Sequence, residues 1–384
     1  METAGIIAEY NPFHNGHRFL QQQAAQLASR TAAVLSGYFV QRGEPALYSP
    51  FLRAEAALKE GLDLAVSLPT AMSLAPGELF ARAGVLALAR LGVTRLVFGC
   101  ESGDAATFHQ AAQTVRAAEN SPLFSRLLQQ GMGYPKARSR AVGLLYGKEA
   151  EDFLSTPNNQ LGVCYAAAVE EFAPQIQLCP IPRQGAGHHS FTPQGKYASA
   201  TLLRETIRRG EFPDRYIPSS SQPLLRKAPL CPQDGLEQAV LYVLRTMPPE
   251  KLAAIAQVGE GLEHRILRAA KHAASLSQLL SLCACPRYTN ARLRRIFYCA
   301  LLGITKKEQT GRPEYLRLLG MNQKGRELLS AMPKAGIPVT ASPAKFSHLI
   351  QVRRDALAAD LWGLGCTPRQ VAGEWWKHPL IRLN

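Results

Sequence analysis

Near the start of the chain the apolar run Gly5-Ile6-Ile7-Ala8 breaks at Asn11-Pro12, and His14-Asn15-Gly16-His17 follows at once. That order reads as a strand, a tight turn and a helix start. In an open parallel sheet this junction binds phosphate, because the first turn of the helix offers N–H groups with no partner inside the helix. Two imidazoles placed there can stabilise the charge that moves onto pyrophosphate when an α-phosphate is attacked. Gly16 lets a nucleotide approach the backbone closely. A second group, Ser199-Ala200-Thr201-Leu202-Leu203-Arg204, puts two hydroxyls before a helix and a guanidinium one turn on, a set that caps the helix and can meet phosphate. Together the two groups predict nucleotidyl transfer across one cleft.

The elements that must position these residues are visible in the pattern. Apolar runs at 3–9, 32–37, Leu62–Leu68 and Arg95–Phe98 end in turn residues and alternate with helix-like sequence, as at Phe51–Glu60 and Glu78–Leu91. This predicts βαβ units, hence an α/β fold with a Rossmann-like parallel sheet and helices on both faces. Residues 105–155 read as mainly helical, and a further strand is expected near Ile176–Ile181, before a Gly/His-rich loop at 185–189 that holds His188 and His189. Five prolines at 213–233 predict a connection between a nucleotide-binding domain, 1–212, and a mainly helical domain, 234–384, with a short αβ appendix at its end.

Composition supports that division. Of 384 residues 46% are apolar, ample for a core, and the net charge is +15. Residues 1–204 hold 17 Lys/Arg against 15 Asp/Glu, whereas residues 205–384 hold 27 against 14. The excess sits almost wholly in the second half, which predicts that this half holds a polyanion such as RNA. Eight cysteines lack C-x-x-C spacing, so neither a zinc site nor a catalytic thiol is expected. With no basic leader and no long apolar window, a soluble, cytoplasmic protein is expected.

The His-x-Gly-His and Ser-x-Thr-x-x-Arg groups resemble those of the adenylyl- and cytidylyl-transferring nucleotidyltransferases, relatives of class I aminoacyl-tRNA synthetases. The stretches 5–17, 36–45, 98–104, 157–162, 260–265, 287–295 and 315–321 together resemble the tRNA(Met) cytidine acetate ligase family. Departures from its pattern fall at Tyr38, Ser67 and His188. The resemblance implies an ATP-dependent ligase that makes acetyl-adenylate from free acetate, then passes the acetyl group to the wobble cytidine of elongator tRNA(Met).

It also implies that His14 and His17 are catalytic and that Ile7, Ala8, Glu9, Tyr10, Asn11, Pro12, Phe13, Asn15, Gly16, Arg18, Phe19 and Leu20 enclose ATP with them. Gly99, Asn158, Asn159, Arg183, Ser199, Thr201 and Arg204 complete the ATP-binding set, and Mg²⁺ is expected to accompany the triphosphate. Gln41 or Arg42 can face the cleft, or Glu44 can pair with Arg42 and only shape that loop, and Asp63 can cap its strand or reach the cleft. For tRNA, the expected contacts are Arg265, Arg268, Lys271, Arg287, Tyr288, Arg292, Arg294, Arg295, Lys306 and Lys307, mostly to phosphates. Two other readings share the histidines: a nucleotidyltransferase of small-cofactor synthesis, which needs no basic second half, and a non-catalytic RNA-binding protein, which needs no intact histidine pair.

Overall fold

The computed structural model describes residues 2–184 and 195–383; His188 and His189 lie outside them. The expected strands form as β1 (Thr3–Ala8), β2 (Arg30–Ser36), β5 (Leu64–Leu68), β6 (Arg95–Cys100) and β7 (Gln177–Pro182), and an unexpected hairpin of β3 (Phe39–Val40) and β4 (Glu44–Pro45) follows β2. The chain then adds β8 (Leu316–Met321), β9 (Val339–Thr340) and β10 (Ile381–Arg382). The main sheet runs β10-β8-β5-β2-β1-β6-β7, with β9 on β8. β5, β2, β1, β6 and β7 are mutually parallel, and β8 joins β5 antiparallel.

Helices cover both faces, as the alternation predicts. On one side Ile7, Val34, Val66, Leu96 and Phe98 pack with the helices Gly77–Arg90, Ala105–Glu119 and Pro157–Phe172. On the other, Ala4, Ile6 and Val97 meet the helix Asn15–Leu27, while Ala33, Leu35 and Ala65 meet the helix Pro50–Lys59. No helix among the described residues is long and apolar enough to cross a membrane.

The sheet and its core take residues from both sides of the 213–233 stretch. Residues 237–310 are largely helical, but 316–321, read as part of a helical stretch, is a buried strand bonded to β5. Leu236, Val240, Ile296, Trp362 and Trp375 share one core with Leu35, Phe39, Phe51 and Ala65. The physical cause is local. The Asp63 carboxylate accepts hydrogen bonds from Thr31 N–H at 2.8 Å, Thr31 Oγ1 at 3.1 Å and Asn322 Nδ2 at 2.8 Å, and so ties β2, β5 and the end of β8 together. It does so at the amino ends of β2 and β5, so of the two places open to Asp63 it takes the one at the start of its strand. Asp63→Ala leaves buried donors without acceptors and should cost about 3 kcal/mol. A fall in the urea midpoint with an unchanged slope is the expected result.

Candidate active site

β1 lies between β2, reached through the first crossover, and β6, so the strand order reverses between β1 and β6. Ligands of open α/β sheets bind outside the carboxyl ends of the strands at such a point. The chain leaves β1 there and enters the helix Asn15–Leu27 with His14 as N-cap, its backbone extended. His14 Nδ1 accepts the Gly16 N–H at 3.0 Å, so in the neutral ring the proton sits on Nε2, which remains a donor. Gly16 is needed for this fold-back, because a Cβ there would lie 2.9 Å from His14 Cε1. The His17 ring stacks on His14 with centroids 3.8 Å apart and planes at 23°. Tyr10 and Phe13 enclose it at 4.9 and 6.0 Å.

Burial, with Arg183 and Arg204 nearby, pushes the His14 pKa down to about 3. Burial, His14 and Arg183 hold His17 well below the ordinary histidine range. Both rings are therefore neutral donors at pH 7, and the fixed positive charge comes from the arginines.

Contacts from distant segments hold this turn. Asn11 Oδ1 accepts Leu47 N–H at 2.8 Å, and the Glu9 carboxylate accepts Gln41 N–H at 2.9 Å. Arg204 donates to the Asn11 carbonyl at 2.8 Å and to Thr201 Oγ1 at 3.3 Å, and pairs with Glu44 at 3.5 Å. Ser199 caps the helix Ala200–Arg208 by accepting Leu202 N–H at 3.2 Å. Asn15 Nδ2 reaches the carbonyls of Lys196 and Arg215, each at 3.0 Å. The Ser-x-Thr-x-x-Arg group is thus brought to the histidine turn. Arg204 itself is buried and spends its donors on protein, not on open cleft.

Other expected residues are placed less directly. Asn159 is buried with Oδ1 accepting from Glu101 N–H at 3.0 Å and Nδ2 donating to Ser102 Oγ at 3.1 Å. Asn158 Nδ2 donates to Glu101 Oε1 at 2.5 Å. The pair shapes the turn after β6. Gly99 is covered by the Arg183 side chain, whose Cγ would lie 3.4 Å from a Cβ there. Within 7–20, the Ile7 and Leu20 side chains point into the cores, Arg18 pairs with Glu60 at 2.8 Å, and Phe19 meets the Tyr197 ring edge-on at 6.4 Å. One residue went unread in the sequence. Arg53, fully buried, donates to the carbonyls of Tyr48 at 3.0 Å, Ser36 at 2.9 Å, Glu9 and Gly37, fixing the carboxyl ends of β1 and β2. Its signal was a cation in the apolar setting of Pro50, Ala54 and Ala57, on one helical face.

In the basic half, Arg265, Arg268, Lys271, Arg287, Lys306 and Lys307 are exposed, and Arg294 is half-buried. A hollow of about 560 Å³ is lined by Glu260, His264, Arg265, Arg268, His272 and Tyr288. Three expected RNA contacts are instead engaged internally. The Tyr288 ring is buried beneath Arg292 at 4.9 Å, Arg292 donates to Gln257 O at 2.9 Å, and Arg295 donates to Gln257 Oε1 at 2.8 Å and Gln41 O at 3.2 Å. Arg292 and Arg295 do share a helical face, but that face is turned toward residue 257.

Comparison with known proteins gives consistent matches. Residues 1–371 match the family model described as HIGH Nucleotidyl Transferase. The tRNA(Met) cytidine acetate ligase of Caldanaerobacter subterraneus subsp. tengcongensis is 34% identical, with 100% of both chains covered. That of Listeria monocytogenes serovar 1/2a is 36% identical over 90% of each. The crystal structure of Thermotoga maritima TmcAL in its apo form I superposes with a TM-score of 0.91 at 28% identity over the whole of both chains. The same protein bound with alpha-thio ATP gives 0.88 at 27%, again over the whole of both.

The His14 shift has a consequence for stability. Its folded pKa lies below the ordinary 6.5, so its contribution is present above pH 6.5 and is lost as pH falls toward 3. His14→Asn keeps a capping acceptor without the titration. The drop in Tm between pH 7 and pH 4.5 should therefore be smaller in the variant than in the unmodified protein, as read by calorimetry.

Proposed function

Because the chain belongs to the HIGH nucleotidyl transferases, and within them to the tRNA(Met) cytidine acetate ligases, we propose that it is an ATP-dependent ligase that acetylates a tRNA cytidine with free acetate. The observation that carries this reading is the stacked, neutral histidine pair at the switch point of the sheet, with Arg183 and Arg204 beside it. The small-cofactor and non-catalytic alternatives give way to it, since relatives matched over the full length carry the ligase name and both histidines are intact.

In the first step an acetate oxygen attacks the α-phosphorus of ATP, the bond to the β-phosphate oxygen breaks, and pyrophosphate leaves. His14 Nε2–H and the His17 ring donate to the phosphate oxygens, the positive end of the helix Asn15–Leu27 faces them, and Arg183 supplies positive charge. In the second step the cytidine exocyclic nitrogen attacks the acetyl carbon, AMP departs, and the nitrogen loses a proton to solvent. The histidines never need to titrate. Alignment and charge stabilisation suffice once the carboxylate has been made into an acyl phosphate ester.

A Mg²⁺ ion would come with the triphosphate: no three His, Cys, Asp or Glu side chains among the described residues converge to hold a resident metal. Its role would be to offset triphosphate charge. We assign tRNA to the exposed basic surface of Arg265, Arg268, Lys271, Arg287, Lys306 and Lys307 around the 264–272 hollow. Tyr288, Arg292 and Arg295 support that surface from beneath.

Acetate-dependent ATP–pyrophosphate exchange tests the first step. His17→Ala should lower its rate by about 10²–10³-fold, the size of a lost phosphate donor in a closed site. Equal rates would remove the histidine role. For the second substrate, replacing both Arg265 and Arg268 by alanine should weaken tRNA binding and reduce the slope of log K against log salt by roughly 2.

A further inference from the structure

Cys231 ends the Pro-rich connection and Cys366 follows the helix Ile350–Gly365; both thiols are free and buried. Their neighbours Leu230 and Thr367 form an antiparallel bridge and exchange both hydrogen bonds, Leu230 N–H to Thr367 O at 3.3 Å and Thr367 N–H to Leu230 O at 2.8 Å. The position beside such a pair is a non-hydrogen-bonded one, where facing Cα atoms approach to about 4.5 Å and side chains lie on the same side. Here that position is Cys231 opposite Cys366. That regular spacing falls within the span a disulfide bridges, about 4.4–6.8 Å.

One further contact places the Cys231 sulfur against the segment that carries Cys366: a Cβ on Gly365 would lie 3.0 Å from Cys231 Sγ.

We propose that Cys231 and Cys366 are a latent cross-strand disulfide, closed by a peroxide oxidant. One sulfur attacks the O–O bond of hydrogen peroxide, giving a sulfenic acid and one water. The second sulfur then displaces the hydroxyl group from the first, forming the S–S bond and releasing a second water. Overall two thiols are oxidised and one peroxide is reduced.

The bond would staple the connection to the end of the 350–365 helix, closing most of the basic half into one loop. It lies directly behind the site: Cys231 N–H donates to Leu47 O at 2.9 Å, Trp362 Nε1–H donates to Ala46 O at 2.6 Å, and Leu47 N–H holds Asn11. Closing a long loop restricts the unfolded chain most, so the oxidised protein should melt higher. The half-buried Cys179 and Cys285 have no facing thiol in such a pair and would be oxidised singly.

The test uses the full-length protein treated with hydrogen peroxide, alkylated in denaturant and mapped by mass spectrometry without reduction. The expected product is a Cys231–Cys366 linked peptide, accompanied by a rise in Tm that a thiol reductant reverses and that Cys231→Ser and Cys366→Ser both lack. Recovery of the two cysteines as separate alkylated or sulfinic forms, or as links to other cysteines, would overturn the proposal. So would a linked peptide with no rise in Tm. Neither outcome bears on acetate-dependent exchange, so this inference and the ligase reading fail separately.

Discussion

A strand that ends in a chemically active turn leaves carbonyl groups without ladder partners, and in this protein one guanidinium collects them. Arg53 donates to carbonyls at or just past the ends of β1 and β2 and to its own helix's entry at Tyr48. Only a planar fork with several fixed donors can serve that many acceptors from one buried point; an ammonium has neither the reach nor the geometry. Burial draws its pKa down to about 10, with Glu9 and Tyr38 pulling the other way, so the cation persists at neutral pH. The path of Glu9 and Tyr10 out of β1, and hence the place where His14 caps its helix, depends on that charge remaining satisfied.

The readable part of the site was the part encoded in neighbours. His14, Gly16 and His17 lie within one turn, and strand, break and helix start are written in the same short stretch. The capping role of Ser199 was equally local. What Arg204 does was not legible, because its acceptor, the Asn11 carbonyl, lies far away in sequence and becomes an acceptor only once the turn has formed. A guanidinium near phosphate chemistry reads as a phosphate ligand; here the fold uses it to brace the turn. Asn158 and Asn159 follow the same rule, since their partners belong to the turn after β6. Local pattern reports what a side chain can do, and tertiary contacts decide which of those things it does.

The fold divides similarly. Parallel strands buried on both faces appear as short apolar runs, and β1, β2, β5, β6 and β7 were found that way. β8 was hidden because Leu316-Arg317-Leu318-Leu319 carries equal helical and extended pattern, and the choice is made by Asp63 and Asn322 across the sheet. Arg317, inside that strand, is buried against the Phe51 and Trp375 rings and bonded to the His378 carbonyl at 3.1 Å, contacts that exist only after the C-terminal segment returns. A Pro-rich stretch therefore marks a change in composition here without marking an independent core.

That interleaving matters for chemistry with two large substrates. Charge separates cleanly along the sequence, near balance before residue 205 and strongly basic after it, yet the two regions share a core, and Gln41 is one residue at which they meet. Gln41 N–H is held by Glu9 at the histidine turn, and Gln41 O is held by Arg295 on the helix Asn290–Leu302. Gly43 beside it has φ +74° and room for no side chain, since a Cβ would lie 2.5 Å from the Arg295 nitrogen. The 39–45 hairpin is thus clamped between the histidine turn and the helix that carries Arg292 and Arg295. The clamp fixes the histidine turn relative to that helix in the folded protein. Arg292 and Arg295 accordingly face inward, because joining the two regions takes their donors.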